Sequence, residues 1–322
     1  MGILDTARGP AASLRGSPRG GASQAERGMT LMAVAMLLVP GMDALAKLLS
    51  AQLSPFQIAF IRFLLQSAFL GGLLAWQRRL AVPAAALPRL VLAGALVAGA
   101  IGCLFWSLTA LPLANAMAIF FVEPLLLTLL SALLLGERVG WQRLAAVAVG
   151  LGGALIVIRP NWAAFGGMAL LPLLAALFYA GQLTVLRSLA GQLPATQVQG
   201  YSALFAALLL GAALAIGSGQ GVELLAWGTP QGVAWLYLAG IGALSTVGYL
   251  LISGAMRRAN ASILAPFQYL EIISATLLGY LIFGDLPDAL TGLGTAIILG
   301  AGGYVFYRER RSAQADGPRP PE

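Results

Sequence analysis

Long apolar runs separated by short polar breaks recur along this 322-residue chain. A helix needs about 20 mostly apolar residues to cross the hydrocarbon core of a bilayer. That measure predicts helices near Met29–Ser50, Phe56–Trp76, Pro88–Ala110, Leu113–Leu135 and Gln142–Ile158. A second set of five is predicted near Phe165–Leu186, Thr196–Gly217, Gln231–Met256, Ala261–Phe283 and Asp288–Phe306. Two spans almost touch at Leu111–Pro112. Residues 1–28 and 309–322 are polar and read as disordered tails. The first apolar run is too long for the core of a signal peptide, so it is predicted as an uncleaved helix.

Charge turns this pattern into a topology. With both ends of the chain in the cytoplasm, Arg8, Arg15, Arg19, Arg27, Arg78, Arg79, Arg89, Arg138, Arg143, Arg187, Arg257, Arg258, Arg308, Arg310, Arg311 and Arg319 all fall on the inner side. Only Arg159 falls outside, while Lys47 and Arg62 lie within spans. This is the asymmetry of the positive-inside rule, and a wrong helix count would scramble it. Trp76, Trp141, Trp162, Trp227 and Trp235 fall near the interfaces, as an aromatic belt requires. The expected location is an inner, cytoplasmic membrane of the bacterial type. The basic pI of 10.1 therefore reflects orientation, and nucleic acid is not an expected partner.

The two halves, 29–160 and 161–308, resemble each other. Lys47, Gln52-Leu53 and Gln57 match Arg187, Gln192-Leu193 and Gln197. Leu92-Ala93-Gly94 matches Leu238-Ala239-Gly240, Gly102 matches Gly248, and Ala114-Asn115-Ala116 matches Ala259-Asn260-Ala261. Gly136-Glu137 matches Gly284-Asp285. Five spans per half is an odd number, so the second copy lies upside down in the bilayer. The predicted fold is an all-α membrane protein of ten helices in two inverted five-helix repeats. Inverted repeats give secondary transporters one state open to each side, with substrate held near the midplane.

Charged residues make up 10% of the chain, and an ionised side chain at a helix centre costs about 2.5–3.5 kcal/mol on insertion scales. Four residues stand out on that ground: Asp43, Arg62, Glu123 and Glu271. Glu123 and Glu271 each lie fourteen residues before the acid of the Gly-acid pair, so they occupy one repeat position twice. Two acids at matching midplane positions would face a shared cavity, or would cap broken stretches of helix. Pro124 and Pro266 stand close by and predict hinges. Asp43 and Arg62 sit at similar depth in adjacent antiparallel spans and are expected to pair. Lys47, four residues after Asp43, is the third member of this gating or ion-pair group. Phe267 and Gln268 share a helical face with Glu271, Phe120 lies beside Glu123, and Tyr249, Tyr179 and Trp106 are the remaining cavity candidates.

Several chemistries are excluded. Histidine is absent, which removes zinc-dependent and Ser-His hydrolysis within the membrane. The one lysine, Lys47, lies in no phosphate loop. The one cysteine, Cys103, allows neither an internal disulfide nor a thiolate metal site. No cofactor, metal or catalytic residue is expected, and the chain is read as no enzyme. An ion channel is the rival of another class, but no ring of like charges supports it.

Ile61-Arg62-Phe63, Glu123-Pro124 with Leu135-Gly136-Glu137-Arg138-Val139, and Tyr269-Leu270-Glu271 with Ile282-Phe283-Gly284-Asp285, in this order, resemble the EamA family of the drug/metabolite transporter superfamily. The resemblance covers Thr30 to about Arg308. It implies ten helices, cytoplasmic termini and alternating access around a central cavity. It further implies a small-molecule substrate; the lipid bilayer is the expected surrounding, with a monomer as the expected state although the sequence does not decide it. Similarity to YddG-type exporters implies export of amino acids, aromatic and other neutral ones. The alternative is a permease taking up riboflavin or S-adenosylmethionine. Asp285 departs from the family's usual Glu. Ile272 stands where a proline matching Pro124 is expected, which moves the second-half kink to Pro266.

Overall fold

The computed structural model of the protein describes residues 18–135, 140–189, 191–259 and 261–315. Among these residues every regular element is helical, and ten segments are long and apolar enough to cross a membrane. The first half contains α1 (Pro18–Leu49), α2 (Pro55–Trp76), α3 (Leu87–Leu108), α4 (Leu113–Phe120), α5 (Glu123–Leu135) and α6 (Trp141–Phe165). The second contains α7 (Leu171–Leu189), α8 (Ala195–Gly219), α9 (Ala234–Met256), α10 (Ala261–Gln268), α11 (Leu270–Phe283) and α12 (Ala289–Ala315). Twelve helices make ten crossings because α4/α5 and α10/α11 are each one interrupted span.

Local chemistry explains the boundaries. Ser54 caps α2 by accepting the Gln57 N–H at 3.2 Å, and Pro55 follows at the position where its missing N–H costs nothing. Gly284 ends α11 with a left-handed φ of 73°. The N–H groups of Gly284 and Asp285 then turn back to Tyr280 O at 3.0 Å and Gly279 O at 3.2 Å, which satisfies the last carbonyls of the helix. Asp288 starts α12 by accepting the Thr291 N–H at 2.8 Å, and hydrogen bonding from Thr291 holds its carboxyl below the ordinary range.

Three helix ends run well beyond the sequence expectation, and α7 starts at Leu171 rather than Phe165. Helix α1 starts at Pro18 rather than Met29, and α12 continues to Ala315; part of each segment read as tail is helical, because adding a residue to an existing helix is cheap once the span has nucleated it. Helix α6 does not stop at Ile158 but runs to Phe165. The buried Asn161 holds it together there, donating from Nδ2 to Val157 O at 2.7 Å and accepting from Asn115 Nδ2 at 2.8 Å. The Gly136-Glu137 member of the repeat, with Arg138, Val139 and Asn260, lies outside the described residues.

The halves interlock. Helix α1 packs on α9 and α11 of the other half, while α7 packs on α3 and α5. Helix α2 lies against α8, and α6 against α12. The same contacts recur with the halves exchanged. Gly41 of α1 meets Leu244 of α9, and Gly181 of α7 meets Leu96 of α3, with closest approaches of 3.4 and 3.5 Å to a built Cβ. Leu96 and Leu244 are related by the displacement along the chain that relates Glu123 to Glu271, and Gly41 and Gly181 by that of Lys47 and Arg187. The glutamines repeat the arrangement. Gln57 donates to Gly228 O at 2.8 Å and accepts the Gly228 N–H at 2.9 Å, fastening the α8–α9 loop. Gln197 donates to Arg79 O at 2.6 Å and Ala81 O at 3.1 Å, fastening the α2–α3 loop. Each half thus holds the corresponding loop of its partner at opposite ends of the bundle.

In lipid no hydrophobic effect draws helix to helix, so close packing and hydrogen bonds carry the assembly. A Cβ on Gly94 would stand 2.6 Å from Phe205 Cβ and 3.0 Å from Ala206 N, and one on Gly242 would stand 2.9 Å from Leu65 Cβ. By these contacts Gly94 corresponds to Gly242, two positions from the Gly240 that the local sequence match selects. Gly94→Val should lower stability by about 1–3 kcal/mol, the usual cost of overpacking. Gly71→Val, where a Cβ meets nothing within 4 Å, should change it by no more than about 0.5 kcal/mol. Thermal denaturation of the purified variants checks this, and equal losses would contradict the packing described.

Candidate functional site

The two interrupted spans place the acids. Pro124 has no N–H to give, so the chain between α4 and α5 closes with tighter bonds: Val122 N–H to Ile119 O at 3.2 Å and Leu125 N–H to Val122 O at 3.0 Å. In the second half α10 passes through Pro266 and ends at Gln268. The interruption falls at Tyr269, whose N–H reaches Pro266 O at 3.4 Å. Tyr269 also donates its hydroxyl to Leu299 O of α12 at 3.3 Å, anchoring the break. In consequence Glu123 and Glu271 each stand in the first turn of a half-helix, where unpaired N–H groups and the helix dipole favour negative charge.

Around these acids a group drawn from both halves assembles. Asp43 of α1 is buried at 2% exposure and lies within electrostatic reach of Arg62 on α2 and Glu271 on α11. Glu271 and Glu123 feel each other's charge, and Tyr179 of α7 feels Glu123, Glu271 and Arg62 together. The Tyr179 ring tilts against Phe120 with centroids 5.6 Å apart. The Arg62 guanidinium lies over Phe63, 4.9 Å from its centroid, and 6.0 Å from that of Phe105. Several buried polar atoms here have no partner: Asp43 Oδ1, Arg62 Nε and Nη1, and Glu123 Oε1. Such atoms are costly without a partner, and a bound polar molecule can supply one.

Asp43 and Arg62 are near each other, yet these atoms do not meet in a direct bond. Lys47 does not turn back to Asp43. Its Nζ lies 3.0 Å from Asp285 Oδ2 and donates to Leu111 O at 3.0 Å, with the Phe283 ring 4.6 Å away. The Gly284 turn that ends α11 aims Asp285 at this lysine. One side chain thus ties α1 and the α3–α4 turn of the first half to the end of α11 in the second. At the opposite end, Arg187, the repeat counterpart of Lys47, donates from Nη1 to Ser131 Oγ of α5 at 3.0 Å and lies within electrostatic reach of Glu123. Each half therefore sends the base of its first helix to the fourth crossing of the other half.

The remaining candidates lie apart from this group. Trp106 is near the end of α3, its ring 6.3 Å from that of Phe56. Phe267 packs in a cluster with Met32, Met36 and Ala255, and Gln268 and Pro266 are exposed. Tyr249 stands near Ser253 in the field of Arg257. Sequence reasoning missed Asp285 and Ser131 as contact residues. The signal for Asp285 was present, since the repeat pairs Lys47 with Arg187 and puts a Gly-acid step at the end of each fourth span.

Two stretches of the chain, residues 26–159 and 166–306, match the EamA-like transporter family. The chain belongs to that family. It is a multi-pass membrane transporter of small molecules rather than an enzyme. This EamA chain is 33% identical to a riboflavin transporter of Rhizobium johnstonii over 218 residues, 67% of this chain and 69% of the relative. It is 26% identical to an S-adenosylmethionine uptake transporter of Rickettsia prowazekii over 270 residues, 84% and 89% of the two chains. It is 28% identical to a pseudopaline exporter of Pseudomonas aeruginosa over 277 residues, 84% and 93% of the two. These relatives carry different molecules, and one imports while another exports, so family membership fixes neither cargo nor direction.

The contact between halves at Lys47 is open to measurement. Both partners are partly exposed, with side-chain exposures of 17% for Lys47 and 32% for Asp285, so solvent screening limits the pair to about 0.5–1 kcal/mol. A double-mutant cycle of Lys47→Met and Asp285→Asn in thermal denaturation should return a coupling of that size. The exchanged pair Lys47→Asp with Asp285→Lys should recover part of it. Additive losses would mean that the two charges do not hold the halves together.

Proposed function

We propose that this protein is a secondary transporter that exports small metabolites, foremost amino acids (aromatic and other neutral ones), by alternating access through a central cavity. In this reading it lies in a bacterial-type inner membrane with both termini in the cytoplasm, as the distribution of arginines favours. One observation carries the proposal. Three carboxyls and one guanidinium, contributed by both halves, gather beside the two broken crossings with polar atoms left unpartnered. A zwitterion presents one group for each sign of charge, and the aromatic rings of Phe120 and Tyr179 offer an apolar body its contact. The contacts of Lys47 and Arg187 with the opposite half, one at each end of the bundle, suit a cycle in which one end opens while the other is held.

A second reading has its own support. Acids outnumber bases in the central group, which favours a substrate with a surplus positive charge. S-adenosylmethionine, the cargo named for the Rickettsia prowazekii relative, has such a charge, and this reading makes the protein an uptake permease.

Proteoliposomes decide between them. Vesicles loaded with L-phenylalanine should exchange it for external labelled L-phenylalanine, and Glu123→Gln and Glu271→Gln should each slow exchange by about tenfold or more, the worth of one hydrogen bond to a charged group. Preferred exchange of S-adenosylmethionine would favour the second reading. Full rates in both variants would remove the two acids from the pathway.

A further inference from the structure

Arg62 shares the central group with Asp43, whose charge it senses, and the simplest role for it is to neutralise that acid. The geometry argues otherwise. A guanidinium closed on a neighbouring carboxylate makes paired N–H bonds to it in the strongest arrangement. Here Nε and Nη1 of Arg62 are both buried without a partner, and so is Asp43 Oδ1. The two residues sense each other's charge without closing that fork.

The surroundings of the guanidinium hold it as a plate. Phe63 and Phe105, 1% and 2% exposed, lie 4.9 and 6.0 Å from it and satisfy it as a cation without using its N–H groups. Nε and Nη1 each share an edge of the guanidinium with Nη2, and an edge of that kind binds a planar anion in two parallel bonds. Tyr179 senses the charges of Arg62, Glu123 and Glu271, so the guanidinium and the acids of the broken crossings share one neighbourhood.

We propose that Arg62 is the carboxylate receptor of the transport site, so that the cargo carries a carboxylate as well as a group suited to Glu123 and Glu271. The inference rests on the reading of this centre as the cargo site, but not on the cargo being an amino acid or on its direction of travel. Asp43, on this account, is a positioning residue that balances the guanidinium and leaves its edge free. A phosphate would satisfy the same edge, so the test separates the two anions.

The experiment uses the purified full-length protein and follows thermal stability with three probes: benzoate, its neutral isostere benzamide, and phenyl phosphate. Benzoate should bind about tenfold more tightly than benzamide and more tightly than phenyl phosphate. Arg62→Lys should retain part of the benzoate response and Arg62→Gln should lose it. If Arg62→Gln does not fold, the ranking of probes on the unaltered protein and on Arg62→Lys still decides. Equal binding of benzoate and benzamide, no response to benzoate, a preference for phenyl phosphate, or an unchanged benzoate response in Arg62→Gln would each overturn the assignment. Benzoate binding without amino acid exchange in vesicles would sink amino acid export and leave Arg62 as a carboxylate receptor. Unimpaired exchange by Arg62→Gln would do the reverse.

Discussion

A charged group in the middle of a bilayer has to find its partners within the protein or within a cavity the protein encloses. That constraint organises this molecule. Asp43, Arg62, Glu123 and Glu271 lie well inside their crossings, and the helices bring them within electrostatic reach of one another. The two acids at matching repeat positions sit at the starts of half-helices, where backbone N–H groups favour negative charge. Breaking a crossing is costly in lipid, and here the freed backbone is closed by tight turns and tied to neighbouring helices.

The same constraint explains why the halves interlock rather than stand side by side. Each half alone would leave its broken crossing and its charge facing outward. Crossing α1 over α9 and α11, and α7 over α3 and α5, sets the half-helix of each broken crossing against the other half. Glycine at Gly94 and Gly242 lets helices approach closely, and Gln57 and Gln197 lock the loops at opposite ends. The inversion is thus built into the contacts of the molecule and not only into the order of its residues.

Much of this was legible in the sequence, and the reasons are physical. Span length, arginine placement and the spacing of Glu123 and Glu271 are properties of chain segments, and each can be read locally. The partner of Lys47 cannot be. Helical spacing puts Asp43 four residues away, whereas the side chain selects Asp285 across the fold, brought there by the left-handed turn at Gly284. The second break was expected at Pro266 and falls at Tyr269, because a proline strains the turn before it while the helix can still close past its ring. The ends of α1 and α12 extend beyond the apolar pattern because hydropathy marks where lipid begins, not where a helix stops. Trp106, Phe267 and Gln268 have the residue types of a cavity lining, but their depth and facing depend on packing that composition does not record.

The transport cycle proposed above opens the bundle at one end while its opposite end is held. Distance measurement between paired spin labels tests this directly, in a Cys103→Ala background since Cys103 is the only cysteine and is buried. One pair, at Ala51 and Leu286, reports the Lys47 end, and the other, at Leu134 and Gln192, reports the Arg187 end; all four positions are exposed. Adding L-phenylalanine should lengthen one distance as it shortens the other. Two distances that stay fixed, or that widen together as an open pore would require, would contradict the account.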